Sequence, residues 1–341
     1  MTNKNVKLVS ETDIVFDGMF WIDKNGVKHR YVDPLLDEGF KILFGSEGNE
    51  DLLIDLLNKV LPGAEIRDLK YCNTEHHGMT ESEGNAIFDV YCEDVDGVRF
   101  LVEMQNWSQQ YFNKRAIYYS TFAIQDQAAK EKRHQLKTLG KDKWDYNFAP
   151  VYLVCFLTFN MKRSLPNLTK VKEDDYISIY KYTDVETNEL LGDGTTLIFI
   201  EMKKFCKSLK ECRSEKERWI CSLKSMGEQL EMPQELSGTI LQTMYDKAAL
   251  AAMPLEKRIN YISKTMSRND ELNSRAEMIE DALQEGYAKG LDEGLAEGVI
   301  KGREEGRADA AKRMVASGMT KEQVAAILEL SIKEIDIVLA S

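Results

Sequence analysis

The sequence predicts an α/β fold, in which a sheet and its covering helices form a core and an α-helical extension follows. Three patterns lead to this prediction. Residues 86–92 have the β-branched and aromatic content of a strand, and a tight turn at Asp96-Gly97 leads into a second strand at 98–105. About residues 109–132 are helical, and the nearly continuous apolar run at 149–158 is typical of a buried central strand. From residue 206 onward the pattern is helical and charged, which predicts the extension.

The composition is that of a globular protein. The chain has 341 residues, with 45 Lys and Arg against 57 Asp and Glu, and its formal net charge is −12. Hydrophobic residues make up 43%, which excludes a fully disordered chain and a small disulfide scaffold. No apolar run reaches the roughly 18 residues of a membrane span, and the start lacks a signal-peptide core, so we expect a cytoplasmic protein. The acidic total does not exclude DNA, because DNA binding needs only a local basic surface.

Cysteine and histidine are sparse and poorly spaced for a metal centre. None of the six cysteines forms a C-x-x-C pair, and the only histidine cluster is His76-His77 in a polar stretch. A structural zinc site needs about four well-spaced ligands of these types. If the protein is an enzyme, its carboxylates are therefore the better candidates for chemistry.

The first 205 residues predict an N-terminal arm and a core. The arm spans residues 1–30 and contains a hairpin signal at Asn25-Gly26. The core, residues 31–205, begins with two amphipathic helices, and Pro62-Gly63 stops the second one. The remaining core elements are predicted as follows: helices at 33–45, 49–61 and about 109–132; strands at 66–73, 86–92, 98–105, 149–158, 176–182 and 195–200; a polar loop at 74–85.

The C-terminal part divides by composition into three segments. Residues 206–284 predict a helical extension, and residues 285–307 repeat glycine at every fourth position from Gly286 to Gly306. A helix with six glycines loses about 0.8–1 kcal/mol at each relative to alanine. The repeat is therefore either a solvated linker or a self-association helix that would make the protein a homo-oligomer.

The last segment, residues 308–341, predicts three short helices. Ser317-Gly318 ends the first, and capping-box patterns at Thr320-x-x-Gln323 and Ser331-x-x-Glu334 start the other two. This arrangement resembles a helix-turn-helix. DNA recognition and a small docking or oligomerisation bundle are equal alternatives here.

Three polar residues in the hairpin at 86–105 are the best candidates for chemistry. Residues two apart share one face of a strand, so Glu103 and Gln105 point the same way, and Asp89 on the partner strand can lie close to Glu103. Two carboxylates in an apolar sheet are costly unless a positive group pairs them, and Mg²⁺ suits one or two carboxylates plus waters and phosphates. The alternative is a solvated hairpin aspartate beside a chance E-x-Q tripeptide.

Four short motifs together resemble one family. These are Asp37-x-x-Phe40-Lys41-x-Leu43-Phe44-Gly45, Phe88-Asp89-Val90-Tyr91, Val102-Glu103-Met104-Gln105 and Arg115-x-x-Tyr118-Tyr119. They are similar to motifs of the Rpn-type recombination-promoting nucleases and related transposases, within the PD-(D/E)XK nuclease superfamily. The resemblance covers about residues 31–158, and the glycine-repeat tail also occurs in that family. It implies a restriction-endonuclease-like core with a central mixed sheet.

The resemblance implies a role for each matching position. Asp89 and Glu103 correspond to the metal ligands of a Mg²⁺- or Mn²⁺-dependent DNA endonuclease that acts in recombination or transposition. Asp37 lies where an acidic helper occurs, and Gln105 takes the place of the lysine found in most of the superfamily. Lys41 and Arg115 are expected to contact phosphate.

Glutamine at position 105 leaves two outcomes open. Its amide can hold a water molecule but supplies no positive charge. Either Lys114 or Arg115 provides that charge from the next helix, or the site is slow or inactive and the protein only binds DNA or assembles. A small-molecule enzyme has little support, since the G-x-G-x-x-G, Walker A and G-x-S-x-G motifs are absent from the sequence.

Overall fold

The computed structural model describes residues 15–76, 86–107, 111–161 and 175–340. These residues form two compact units, one that extends to Ser267 and one that starts at Arg268. The predicted five-part division of the chain remains a prediction. Within the described ranges, no helix is both long enough and apolar enough to cross a membrane.

A six-stranded mixed sheet forms the centre of the first unit, as predicted for an α/β fold. The sheet strands are β4 (Leu69–Tyr71), β7 (Val90–Asp94), β8 (Arg99–Gln105), β9 (Val151–Leu157), β10 (Ile177–Tyr180) and β11 (Thr195–Glu201). Their order across the sheet is β10-β11-β9-β8-β7-β4. β9 runs parallel to both β8 and β11, and the other pairs are antiparallel. The inner strands are mostly apolar because both faces of the sheet are covered.

Helices cover the two faces of this sheet. One face packs with α1 (Asp37–Phe44), α2 (Glu50–Val60), α4 (Glu215–Ser225) and α5 (Ile240–Ala248). The other packs against α3 (Phe112–Arg133), which continues as a π-helical turn, His134–Thr138. α3 connects the parallel strands β8 and β9, as a crossover helix must. Its first turn therefore lies near the carboxyl end of β8.

The N-terminal arm contains the predicted hairpin. β1 (Val15–Phe16), β2 (Trp21–Ile22) and β3 (Lys28–His29) form a small antiparallel sheet. Gly26 has a φ of +80° in the turn between β2 and β3, a conformation that favours glycine. The hairpin at Asn25-Gly26 is thus confirmed.

The predicted strand at 86–92 is broken in the structure. β6 (Ala86–Ile87) pairs with β5 (Glu75–His76), whereas β7 starts only at Val90. The rings of Phe88 and Tyr91 pack in the same cluster, with centroids 5.7 Å apart. In a regular strand, residues three apart point to opposite faces, so the chain is irregular between them. The predicted polar loop at 74–85 starts with a strand, and residues 77–85 lie outside the described ranges.

The C-terminal helices differ from the prediction in where the first of them begins. α6 (Leu255–Ala316) includes the glycine repeat, so the first of the three predicted short helices is the end of α6. α7 (Lys321–Leu328) and α8 (Ile332–Ala340) begin at the predicted capping boxes. A small core of Ala311, Val324 and Ile335 joins these three helix segments. The glycine repeat is helical and exposed, and its self-association stays a prediction.

Asp33 imposes a steric limit on α1. Its amide donates to the Tyr261 hydroxyl at 2.8 Å, and its carboxylate accepts from the Leu35 amide at 2.8 Å. A Cβ on Gly39 would overlap the Asp33 carbonyl oxygen. Because this contact involves backbone, it cannot be relieved by a rotamer change.

We therefore expect Gly39→Ala to destabilise the first unit. Overpacking of this kind costs about 1–3 kcal/mol, which corresponds to a loss of several degrees in Tm. Gly194→Ala is the control, since open space surrounds Gly194. Thermal unfolding followed by circular dichroism measures both, and an unchanged Tm for Gly39→Ala would contradict the packing described here.

Candidate functional site

Asp89 and Glu103 interlock where the pairing of β7 and β8 stops. The last paired residues are Val90 and Val102, so Asp89 and Glu103 are the next opposite positions. The Asp89 amide donates to Glu103 Oε1 at 3.3 Å, and the Met104 amide donates to Asp89 Oδ2 at 2.8 Å. Each of the two carboxylates thus accepts a hydrogen bond from a backbone amide of the opposite segment. These two hydrogen bonds, at the irregularity before Val90, fix the position of both side chains.

Lys41 brings a positive charge to this pair from α1. Its Nζ lies 3.1 Å from Asp89 Oδ1, and its side chain is 41% exposed while that of Asp89 is 12% exposed. Burial lowers the pKa of Lys41, but the nearby carboxylates of Asp89, Asp37 and Glu103 outweigh it and raise the pKa overall. The lysine is therefore charged and held at the site.

Glu103 is the most deeply buried acid of the group. It is 3% exposed, and burial together with the charge of Asp89 raises its pKa to about 8. Hydrogen bonds from the Asp89 amide and the Gln105 side chain, and the charge of Arg115, act in the opposite direction. Burial likewise raises the pKa of Asp89, although the Met104 amide and Lys41 oppose it. Ionising both carboxyl groups of the pair at once is therefore unfavourable unless a further positive charge joins them.

Gln105 and Arg115 complete the side of the site next to α3. Gln105 Nε2 donates to Glu103 Oε2 at 2.9 Å, which confirms that these two residues share a face. Arg115 is half-buried in the first turns of α3, with its guanidinium 4.7 Å from the centre of the Tyr119 ring. Its charge lowers the pKa of Glu103, so it acts on the carboxylate pair.

Asp37 lies at the edge of the site and Lys114 lies away from it. Asp37 is exposed in the first turn of α1, and its Oδ1 accepts from Asn106 Nδ2 at 2.8 Å. Lys114 is exposed, and its Nζ lies 5.5 Å from the centre of the Tyr111 ring. One residue turns a helix by about 100°, so Arg115 and Lys114 cannot both point to the same carboxylates. Of the two cations expected from α3, Arg115 is the one near Glu103.

Asn106 is a site residue that the sequence did not reveal. Its side chain ties Asp37 on α1 to the end of β8, and its carbonyl accepts from the Thr158 hydroxyl at 3.1 Å. The only available signal was its position directly after Gln105. Glu201, at the end of β11, is a second buried acid at this edge of the sheet, and Lys204 Nζ pairs with it at 2.8 Å.

The donor set suits a hydrated divalent cation. Among the described residues there is no group of three or more His, Cys, Asp or Glu side chains that could hold a metal. Mg²⁺ keeps several waters and needs only one or two carboxylates together with substrate phosphates. Asp89 and Glu103 supply two such carboxylates side by side, and the Gln105 amide adjoins them. The residues present therefore fit this type of ion.

We expect Glu103→Gln to stabilise the metal-free protein. The substitution keeps the size of the side chain and removes a buried negative charge beside Asp89, while the Gln105 amide can turn to present its oxygen. The Tm in EDTA at pH 8 should rise by a few degrees, since 1 kcal/mol corresponds to about 2–4 °C in a domain of this size. Glu65→Gln, at an 84% exposed side chain, should leave the Tm unchanged. A lower Tm for Glu103→Gln would show that the buried charge stabilises the fold.

Comparison with known proteins gives one result of consequence. The family model described as PD-(D/E)XK nuclease family transposase matches residues 34–277, which is more than half of the chain and includes every residue of the site. No curated protein and no solved structure matches the chain. The mixed sheet with its covering helices agrees with this family. The chain belongs to the PD-(D/E)XK nuclease family transposases.

Proposed function

We propose that the protein is a metal-dependent DNA endonuclease that hydrolyses phosphodiester bonds in recombination or transposition. The observation that carries this proposal is the interlocked pair of Asp89 and Glu103, with Lys41 3.1 Å from Asp89. An arrangement made only for stability would not bury two carboxyl groups side by side, because ionising both of them costs free energy. Membership of a nuclease family supports the same conclusion.

Each residue of the site has a role in this proposal. Asp89 and Glu103 hold Mg²⁺ or Mn²⁺, which when bound supplies an acidified water and positive charge for the phosphodiester. The Gln105 amide orients the attacking water, because it can both donate and accept hydrogen bonds. Lys41 and Arg115 bind the phosphate oxygens, and Asp37 keeps Lys41 charged and in place.

Lys41 can supply the positive charge that a lysine on β8 would bring to the site. Most of the superfamily is expected to have lysine where this chain has Gln105. Here an ammonium group reaches the same carboxylates from α1, and it remains partly exposed, as a group that meets substrate must. We infer that Lys41 provides the positive charge that glutamine cannot provide.

One observation favours a second candidate function. The Gln105 amide donates to Glu103 and brings no charge to the end of β8. If Lys41 serves only to neutralise Asp89, the protein is a catalytically weak or inactive DNA-binding or assembly protein of the same fold. The two candidates differ in whether the carboxylates are needed for cleavage.

Plasmid nicking separates these candidates. With Mg²⁺ or Mn²⁺, we expect the wild type to nick supercoiled DNA and Asp89→Ala and Glu103→Gln to be at least about a hundredfold slower, since each removes a charge that acts on the transition state. Asp96→Asn is the matched control, because Asp96 is an exposed acid at the other end of the same hairpin. Equal rates for all four proteins would reject the nuclease and leave the binding protein.

A rescue experiment tests the role of Lys41. Lys41→Gln should slow nicking by about a hundredfold, as loss of one stabilising charge does in other active sites. Gln105→Lys, added to Lys41→Gln, should restore part of the rate by placing an ammonium on β8. Lys70→Gln, at an exposed position on β4, should behave like the wild type. A normal rate for Lys41→Gln would show that the charge is not required.

A further inference from the structure

One face of α3 is exposed and free of carboxylates. Successive turns of this face carry the exposed Lys114, Ile117, Tyr118, Gln125 and Lys132, with the half-buried Thr121 and Ala128 between them. The only acids of α3 point elsewhere: Asp126 contacts Arg99, and Glu131 accepts from the buried Gln135. In a chain with a net charge of −12, a face of this length without an acid is available to a polyanion.

At each end of this face, the ammonium group of a lysine lies over an aromatic ring. Lys114 Nζ lies 5.5 Å from the centre of the Tyr111 ring, and Lys132 Nζ lies 5.7 Å from the centre of the Trp144 ring. The two lysines are 18 residues apart, which is five helical turns, so they share one direction and lie about 27 Å apart along the axis. The first pair lies at the start of α3, which follows β8 in the chain and begins near the carboxyl end of that strand.

The second pair extends into an aromatic stack. The rings of Trp144 and Tyr146 stack with centroids 4.1 Å apart and an angle of 30° between their planes, and Tyr146 is 71% exposed. Tyr146 has a φ of +61°, a conformation that is costly for a residue with a side chain. Such strain persists only where the surrounding structure enforces it, and it is common at functional positions.

The surrounding structure enforces this conformation through Gln135 in the π-helical turn. Gln135 is 2% exposed, its Oε1 accepts from the Asp145 amide and its Nε2 donates to the Asn147 carbonyl, both at 3.2 Å. Asp145 in turn accepts from the Asn147 amide at 3.0 Å. The residues on both sides of Tyr146 are therefore fixed, and its ring is held outward on Trp144.

Further cations are exposed in the segments that carry the stack. Arg133 and Lys137 are exposed at the end of α3 and its π-helical turn, and Lys143 is exposed next to Trp144 in sequence. Two exposed acids lie in the same loop, Asp142 and Asp145, and Lys141 pairs with Asp145 at 2.8 Å. The stack thus combines an exposed flat ring with cations at its edge. This is the combination on which proteins bind single-stranded nucleic acid, since bases stack on the rings and phosphates meet the cations.

We propose that this face of α3 guides a single strand of DNA from the carboxylate site to the Trp144–Tyr146 stack. An unpaired base stacks on Tyr146, and Lys132 and Lys114 contact the phosphates on either side of Tyr118. The proposal deepens the proposed function, on which it rests for the identity of the substrate as DNA. A single strand is required because the bases of a duplex cover each other's faces.

Binding without cleavage tests this proposal. The probe is a 5′-fluorescein-labelled 16-nucleotide oligothymidylate, and its anisotropy is measured in EDTA, so that no hydrolysis occurs. We expect Tyr146→Gly to bind about tenfold more weakly than the wild type, because one base–aromatic stack is lost. The glycine relieves the positive φ, so the variant should fold at least as well as the wild type, which circular dichroism checks.

Two further variants make the result specific. Tyr287→Ala removes a tyrosine of similar exposure (77%) from α6 and should bind like the wild type. Lys132→Gln should lower the slope of log affinity against log salt by about 0.7, as expected for one lost phosphate contact with a single strand. Wild-type affinity for Tyr146→Gly, or an equal loss for Tyr287→Ala, would overturn the proposal. Since EDTA removes cleavage from the measurement, a failure of the nuclease proposal would be seen separately, in the nicking assay.

Discussion

The irregularity between Phe88 and Val90 is the constraint on which the site depends. In a regular ladder the backbone of residue 89 would pair with that of residue 103, and the two side chains would merely be neighbours. Here the ladder stops, and the carboxylates of Asp89 and Glu103 accept hydrogen bonds from backbone amides of the opposite strands. Each side chain is fixed by the other strand, so neither can turn away from the other's charge. The fold therefore imposes a repulsion that a simple hairpin would relieve by rotation.

The same constraint explains why the surrounding cations come from different elements. Lys41 is on α1, which packs on one face of the sheet, and Arg115 is on α3, which packs on the other. The carboxylate pair lies at the end of the β7–β8 pairing, where side chains from helices on both faces act on it. A cation on β8 itself would have had to share a face with Glu103, and that position holds Gln105. Positive charge reaches the pair from both sides of the sheet although Gln105 itself carries none.

The sequence was sufficient for the elements whose signals are local. Strand alternation and the Asp96-Gly97 turn placed Asp89 opposite Glu103, and two capping boxes gave the starts of α7 and α8. The break at Phe88 was not predictable, because a run of apolar and aromatic residues has no marker for an irregular position. The contact of Lys41 with Asp89 joins residues 48 positions apart, so no spacing rule reveals it. The choice between Lys114 and Arg115 depends on the orientation of α3 about its own axis, which packing against the sheet decides.

The orientation of α3 also determines where the two ends of the proposed DNA path lie. The side of the helix that buries Phe112, Ala116 and Ala123 against the sheet is set by apolar packing. Once that side is fixed, Arg115 must point toward Glu103, and the face that starts at Lys114 must point to solvent. Because a helix is rigid over five turns, this single choice also determines where Lys132 emerges beside Trp144. The position of the exposed stack relative to the carboxylates is therefore a consequence of core packing, and it needs no contact between the two.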